Sequence, residues 1–243
     1  MEYKTSFFLT ALGQFLVSFN VFLGVYFMME RFHSVKGFTF NEVLLCFSIV
    51  LMSFAIAECF FRGFDLFDRM IGNGEFDRIL VQPRAPMFQV LASKIELTKL
   101  GRLLQAVVML VIGLSQGTVK WDFFRVIAMI LMIIGGTVVF SGLYILYAGI
   151  CFFTLEGLEA MNIFTDGARE YGKYPVSIYG KGVLTFCSYI IPFALFQYYP
   201  LLYLLGRDVP AWYGILPLGT ILFLVPCVLV WRFGVRRYQS TGS

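Results

Sequence analysis

Asp65 and Asp68 form the one acid pair whose spacing suggests catalysis. Paired aspartates of this kind serve membrane phosphotransfer, which also needs a glycine directly after the second aspartate and a second acidic pair downstream. Here Arg69 follows, and the next acids, Glu75 and Asp77, stand in a different spacing. Nucleotide hydrolysis on a P-loop needs GxxxxGK followed by Ser or Thr, so that backbone amides cradle the phosphates. The Gly-Lys pairs, Gly172-Lys173 and Gly180-Lys181, are followed by Tyr174 and Gly182. The chain is therefore not expected to hydrolyse ATP itself. It contains no HExxH and no GxSxG. His33 has no Cys or His near it in sequence and reads as a solvated loop residue rather than a metal ligand. Cys46, Cys59, Cys151, Cys187 and Cys227 sit in or beside apolar runs without CxxC spacing, as small buried hydrophobes. No catalytic residue and no metal ligand is expected.

The composition explains why. Of 243 residues, 59% are hydrophobic and 14% charged, against about 45–50% and about 25% in soluble domains. That balance excludes a water-soluble enzyme and excludes disorder. It leaves room for several apolar spans of about 20 residues and little else. The predicted fold is all-α, a polytopic membrane protein with six transmembrane helices in a single domain over 1–243. The spans fall near 5–29, 42–61, 102–119, 124–155, 176–192 and 212–231. The first run is too long for a signal-peptide core and lacks a small-residue cleavage site. The net charge of +4 reflects basic loops rather than nucleic-acid binding.

Basic residues set the expected orientation. Lys4, the bases from Arg62 to Arg102, then Arg169, Lys173, Lys181 and the C-terminal Arg232, Arg236 and Arg237 fall on one side. Arg31, Lys36, Lys120, Arg125 and Arg207 fall on the other, a division of 14 to 5. Basic loops stay cytoplasmic, so both termini are expected in the cytoplasm of a multi-pass protein. Within the spans, the deepest charges are Glu58 and Arg125, both read as interfacial residues that snorkel. A proton- or sodium-driven carrier is disfavoured on that ground.

Two segments break the pattern of simple rods. Between spans two and three, Gly72-Asn73-Gly74 interrupts one helical piece, and Pro83 stops a short second one over Glu75, Phe76, Asp77, Arg78, Ile79 and Leu80. Phe76, Ile79 and Leu80 fall at i, i+3, i+4 and form an apolar face; Glu75, Asp77 and Arg78 point elsewhere. Such a helix fits either the membrane interface or a groove on a cytoplasmic partner, and the pattern alone does not choose. In the fifth run, Pro192 and Pro200 each remove an amide donor. The span is expected to end near Pro192, with Tyr198, Tyr199 and Pro200 in an outer re-entrant element, where irregular backbone is tolerated if protein buries it.

In order and spacing the chain resembles the type-2 exporter permeases of ABC transporters, and within them a prokaryotic subgroup of uncharacterised export permeases. Gly74 to Pro83 carries the likeness, with Phe88-Gln89 and Leu100-Gly101-Arg102 downstream. So do Tyr174 to Tyr179, Ile191-Pro192-Phe193, Tyr199-Pro200 and Leu204-Leu205-Gly206. The resemblance implies an inner-membrane permease, paired with a second permease subunit as a homo- or heterodimer in the lipid bilayer and mounted on ABC ATPase subunits. It implies that Glu75 to Leu80 is the coupling helix that contacts the ATPase. Arg169, Lys173, Tyr174 and Pro175 would add a second contact, and Pro192 to Gly206 would form the outer element. ATP and Mg would bind the ATPase, with no cofactor in this chain. Family members carry an amphipathic helix before span one, where only Met1, Glu2, Tyr3 and Lys4 stand here. A non-transporting scaffold or immunity subunit, and a phosphotransferase on Asp65, are the competing expectations.

Overall fold

Apolar residues on every face force long helices to pack in layers, and α2 (Phe40–Asp65) takes the central place. Its apolar window is 89% buried, whereas that of α1 (Lys4–Phe32) is 11% buried, so α1 runs along the outside. The computed structural model describes residues 4–32, 34–115, 119–154, 163 and 165–239. Between α1 and α2 a two-stranded hairpin, β1 (Ser34–Val35) and β2 (Phe38–Thr39), turns through Lys36 and Gly37 at φ 48° and 82°. Two positive-φ central residues are what a tight primed turn requires. The first amide of α2 is satisfied locally, because Thr39 N donates to Glu42 Oε2 at 2.8 Å.

Three short helices follow α2: α3 (Phe67–Gly72), α4 (Glu75–Leu80) and α5 (Pro86–Ser93). α6 (Leu100–Ser115) returns along α2 and α1. α7 (Phe123–Cys151) packs on the opposite side of α2, its N-terminus capped by Asp122 Oδ1, which accepts from Arg125 N at 2.7 Å. After α8 (Asp166–Tyr171) and a 3-10 turn (Val176–Tyr179) come α9 (Lys181–Tyr189), α10 (Phe193–Phe196) and α11 (Tyr198–Leu204). A 3-10 segment (Ala211–Thr220) leads into α12 (Ile221–Arg237), which packs on α7.

Among the described residues, five helical stretches are long and apolar enough to cross a membrane. A sixth candidate is the pair α9 and α10–α11, bent by 87°. The architecture is an all-α polytopic membrane protein. Small residues let the long helices approach, as membrane helices require. A Cβ on Gly136 would lie 2.5 Å from Ser53 Oγ and 2.7 Å from Phe196, and one on Gly101 would lie 1.9 Å from the Ala11 carbonyl oxygen. Gly101→Leu should therefore prise α6 from α1. An overpacking cost of about 1–3 kcal/mol is expected, read as a lower melting temperature in detergent.

The core has two regions. One, nearest the hairpin, gathers Val43, Leu44, Phe47, Met109, Met132 and Leu201. The other gathers Phe54, Phe64, Phe67, Phe76, Phe140 and Trp231. Both the N-terminal half of α1 and the C-terminal end of α12 lie at this second, terminal end. Gln14 reaches Arg102 there, and Trp231 stacks on Phe64 and Phe67.

Candidate functional site

At the terminal end, six aromatic rings draw five elements together. Phe76 of α4 meets Phe67 at 5.0 Å, Tyr238 at 5.1 Å and Phe152 at 5.3 Å between ring centroids. Trp231 stands 4.9 Å from Phe67 and 5.3 Å from Phe64. Gly74, at φ 69°, makes the left-handed turn that separates α3 from α4. The helix lies where the residues predicted it, but its faces are assigned differently. Phe76 is fully buried and Ile79 is half-buried against the core, so neither is presented outward. Asp77 is half-buried, and Glu75, Arg78 and Leu80 face out. The reason is stoichiometric. A helix of one and a half turns has a single inward position, and the aromatic cluster takes Phe76 for it.

The outward surface extends past the helix. Val81 is 84% exposed, and Gln82, Pro83 and Arg84 follow it at the surface. This turn is held from behind: Gln89 Nε2 donates to Ile79 O at 3.2 Å and to Arg84 O at 2.9 Å. The outcome is an exposed strip, Glu75, Arg78, Leu80, Val81 and Arg84, on a braced base. Val81 and Arg84 were not singled out by periodicity because they lie beyond the last helical residue.

Directly inside this end lies an ionic network. Glu58 of α2 is 4% exposed and accepts from Lys99 Nζ at 2.8 Å and from Arg102 Nη1. Arg102 Nη2 donates to Gln14 Oε1 of α1 at 2.8 Å, and its guanidinium sits 5.3 Å from the centre of the Phe54 ring. Arg62 pairs with Asp65 and, at 3.0 Å, with Glu96. So Glu58 does not snorkel to an interface, as its position near a helix end suggested. It is buried and clamps α2 to α6. A carboxylate with two cations in reach has less to gain from water than from staying put.

The segment 165–180 departs furthest from expectation. The bases Arg169, Lys173 and Lys181 and the turn at Tyr174-Pro175 read as a cytoplasmic loop. In the structure the segment lies against the middle of α2. Gly172 O accepts from Cys46 Sγ at 3.9 Å and from Gln197 Nε2 at 2.9 Å. Tyr174 Oη reaches Met28 Sδ at 3.1 Å, well along α1 toward the hairpin. Arg169, Lys173, Tyr174 and Pro175 are thus far along the bundle from Glu75 to Leu80.

Two features make this burial of loop-like residues affordable. The irregular backbone is satisfied by one side chain: Gln197 Nε2 also donates to Tyr174 O at 2.9 Å, and Gln197 Oε1 accepts from Val176 N at 3.1 Å. The charges neutralise one another. Glu170 pairs with Arg169 at 2.9 Å and with Lys173, and Asp166 lies 3.7 Å from Arg169. Arg169 faces the same Phe54 ring as Arg102, at 5.3 Å. Arg169 and Glu170 border a crevice with Val17, Ser18 and Val21 of α1 and with Phe47 and Leu51 of α2. Ionisable groups therefore do occur at the depth of the helix middles, although the long helices themselves are almost free of charge.

The expected outer element is rearranged as well. The break falls at Ile190–Pro192, between α9 and α10, and not within 192–206. Pro192 ends the preceding helix. Pro200 falls in the first turn of α11, where an amide donor is not needed, so the helix continues through it. The stretch from Phe193 to Leu204 is one packed leg, with Phe193 5.5 Å from Phe140 and Leu201 and Leu204 fully buried. Tyr198 opens α11, and Tyr199 Oη lies 3.1 Å from Ser188 Oγ, which ties α11 back to α9. His33 lies outside the described residues.

A family model described as an ABC-2 family transporter protein matches residues 15–242. No curated protein and no solved structure matches the chain significantly.

Proposed function

Because the chain belongs to the ABC-2 family of transporter proteins, we propose that it is the permease subunit of an ATP-driven exporter, forming the translocation path with a second permease subunit and energised by separate ATPase subunits. The observation that carries this reading is the braced, exposed strip from Glu75 to Arg84. An ATPase that closes on ATP and Mg would push on Leu80 and Val81. Phe76 would pass the displacement to α2, α7 and α12, because its ring touches residues that end or follow all three. The apolar residues of the strip would supply burial, and Glu75, Arg78 and Arg84 would set register with charges on the partner.

The basic-residue bias supports placing this end in the cytoplasm of the cell membrane. With Arg169, Lys173 and Lys181 set aside, eleven bases remain on the terminal side against five on the hairpin side. The paired charges of α8 support transport over a passive scaffold, since ionisable groups at such depth face a water-filled path rather than lipid. Residues 169–175 are accordingly assigned to the wall of the path, between α1 and α2, and not to the ATPase contact.

The test is a pull-down from native membranes followed by ATPase assay. Leu80→Asp combined with Val81→Asp should abolish co-purification of the ATPase. A loss of about 2 kcal/mol or more is expected if the pair is a hot spot, with the melting temperature unchanged. Phe88→Asp, on exposed α5, should leave both unchanged. Retention of the ATPase by the double variant would show that the docking strip lies elsewhere.

A further inference from the structure

We infer that the cavity enclosed by α8, the 3-10 turn Val176–Tyr179, α9 and the Pro192 bend holds one acyl chain of a membrane phospholipid. The cavity measures about 230 Å³ and is walled by Ala168, Val183, Phe186, Cys187, Ile191 and Phe193, among others. No nitrogen or oxygen of the wall is exposed to it. The polar groups nearby are all turned away. The amide of Gln197 is used up by Gly172, Tyr174 and Val176, and Tyr179 Oη donates to Tyr171 O at 2.9 Å. Water therefore finds no partner there, although one water needs only about 10–15 Å³.

Depth and exposure select the occupant. Gly172 lies in the wall, and the same glycine touches Cys46 and Val50 in the middle of α2, so the cavity stands at the level of the bilayer interior. Its α9 side is open. α9 contains no buried residue, Val183 is 42% exposed, and Tyr189 and Ile190 extend the same apolar surface at 85% and 61%. The cavity thus continues a lipid-facing surface inward. Left empty, its lining would forfeit dispersion contacts. A hydrocarbon chain entering from the side restores them without requiring any polar partner. This inference does not depend on the ATPase reading.

The experiment uses the full chain in phosphatidylcholine vesicles doped with a phosphatidylcholine that carries a diazirine midway along one acyl chain. Photolysis and peptide mapping should place adducts on the 179–193 wall at higher yield than on Leu12, which is exposed on α1. Val183→Trp fills the mouth and should lower the wall adducts about ten-fold, the factor that about 1.4 kcal/mol supplies, while leaving the Leu12 adducts unchanged. Ala168→Leu fills the cavity from α8 and should act in the same direction if the tryptophan variant does not fold. Wall adducts no more abundant than those on Leu12, or unmoved by both variants, would overturn the proposal. Wall adducts that disappear during ATP turnover with the ATPase bound would also overturn it, by making the site a cargo station rather than a resident-lipid site.

Discussion

Glu58→Ala should destabilise the chain by about 3–5 kcal/mol, the usual cost of removing one partner from a buried ion pair. The carboxylate is the only acid within bonding distance of both Lys99 and Arg102 among the described residues, and those two cations are 7% and 5% exposed. Without it, two positive charges remain close together against Phe54, with Gln14 as the nearest neutral acceptor. α1 touches the bundle mainly through α6, so loosening Arg102 also loosens α1. Thermal unfolding in detergent, followed by tryptophan fluorescence, reads the effect. Glu58→Gln keeps an acceptor and should fall between wild type and Glu58→Ala. Replacing Glu58, Lys99 and Arg102 together with Met should recover most of the loss, because a buried charge cluster exchanged for hydrocarbon is often close to neutral. An unchanged melting temperature for Glu58→Ala would mean the cluster is solvated.

Phe76→Ala should cost a comparable amount, about 3–5 kcal/mol. The ring is fully buried and touches four others, from α3, the end of α7, α12 and the residue after it. The void left behind cannot collapse readily, because each neighbouring ring is anchored on a different element. Phe76→Leu should cost less than the alanine change, since most of the volume is kept. The contrast with the Leu80 and Val81 double variant is the informative one. Phe76→Ala should lower the melting temperature with or without the ATPase, whereas the outward pair should affect only ATPase binding. If Phe76→Ala left stability intact and removed only the ATPase, the ring would be part of the docking face after all.

These two residues show how far a linear reading reaches. Apolar runs of span length were visible because hydrophobicity is a local property, summed over neighbours in sequence. The boundaries of α4 were visible too, because Gly74 and Pro83 act on their own backbone. The burial of Phe76 was not. Its i, i+3, i+4 pattern with Ile79 and Leu80 describes a face, and a face has no direction until Phe67, Phe152 and Trp231 arrive from elsewhere in the chain. Likewise Glu58 reads as an interfacial charge until Lys99 and Arg102 are placed beside it.

The segment around Arg169 marks the limit. Charge and turn residues place it in a loop by any local measure, since an isolated Arg, Glu or Lys is costly away from water. Its position beside Cys46, Val50 and Met28 rests on two non-local compensations. Arg169, Glu170 and Lys173 cancel one another, and Gln197, more than twenty residues on, holds the backbone of residues 172–176. Family, class and the approximate spans of this permease follow from its residues in order. Which charges are buried, which side of α4 faces a partner and where the fifth apolar run breaks follow from contacts between residues distant in sequence. Those contacts decide because desolvation is offset by specific partners, and partners are supplied by the fold.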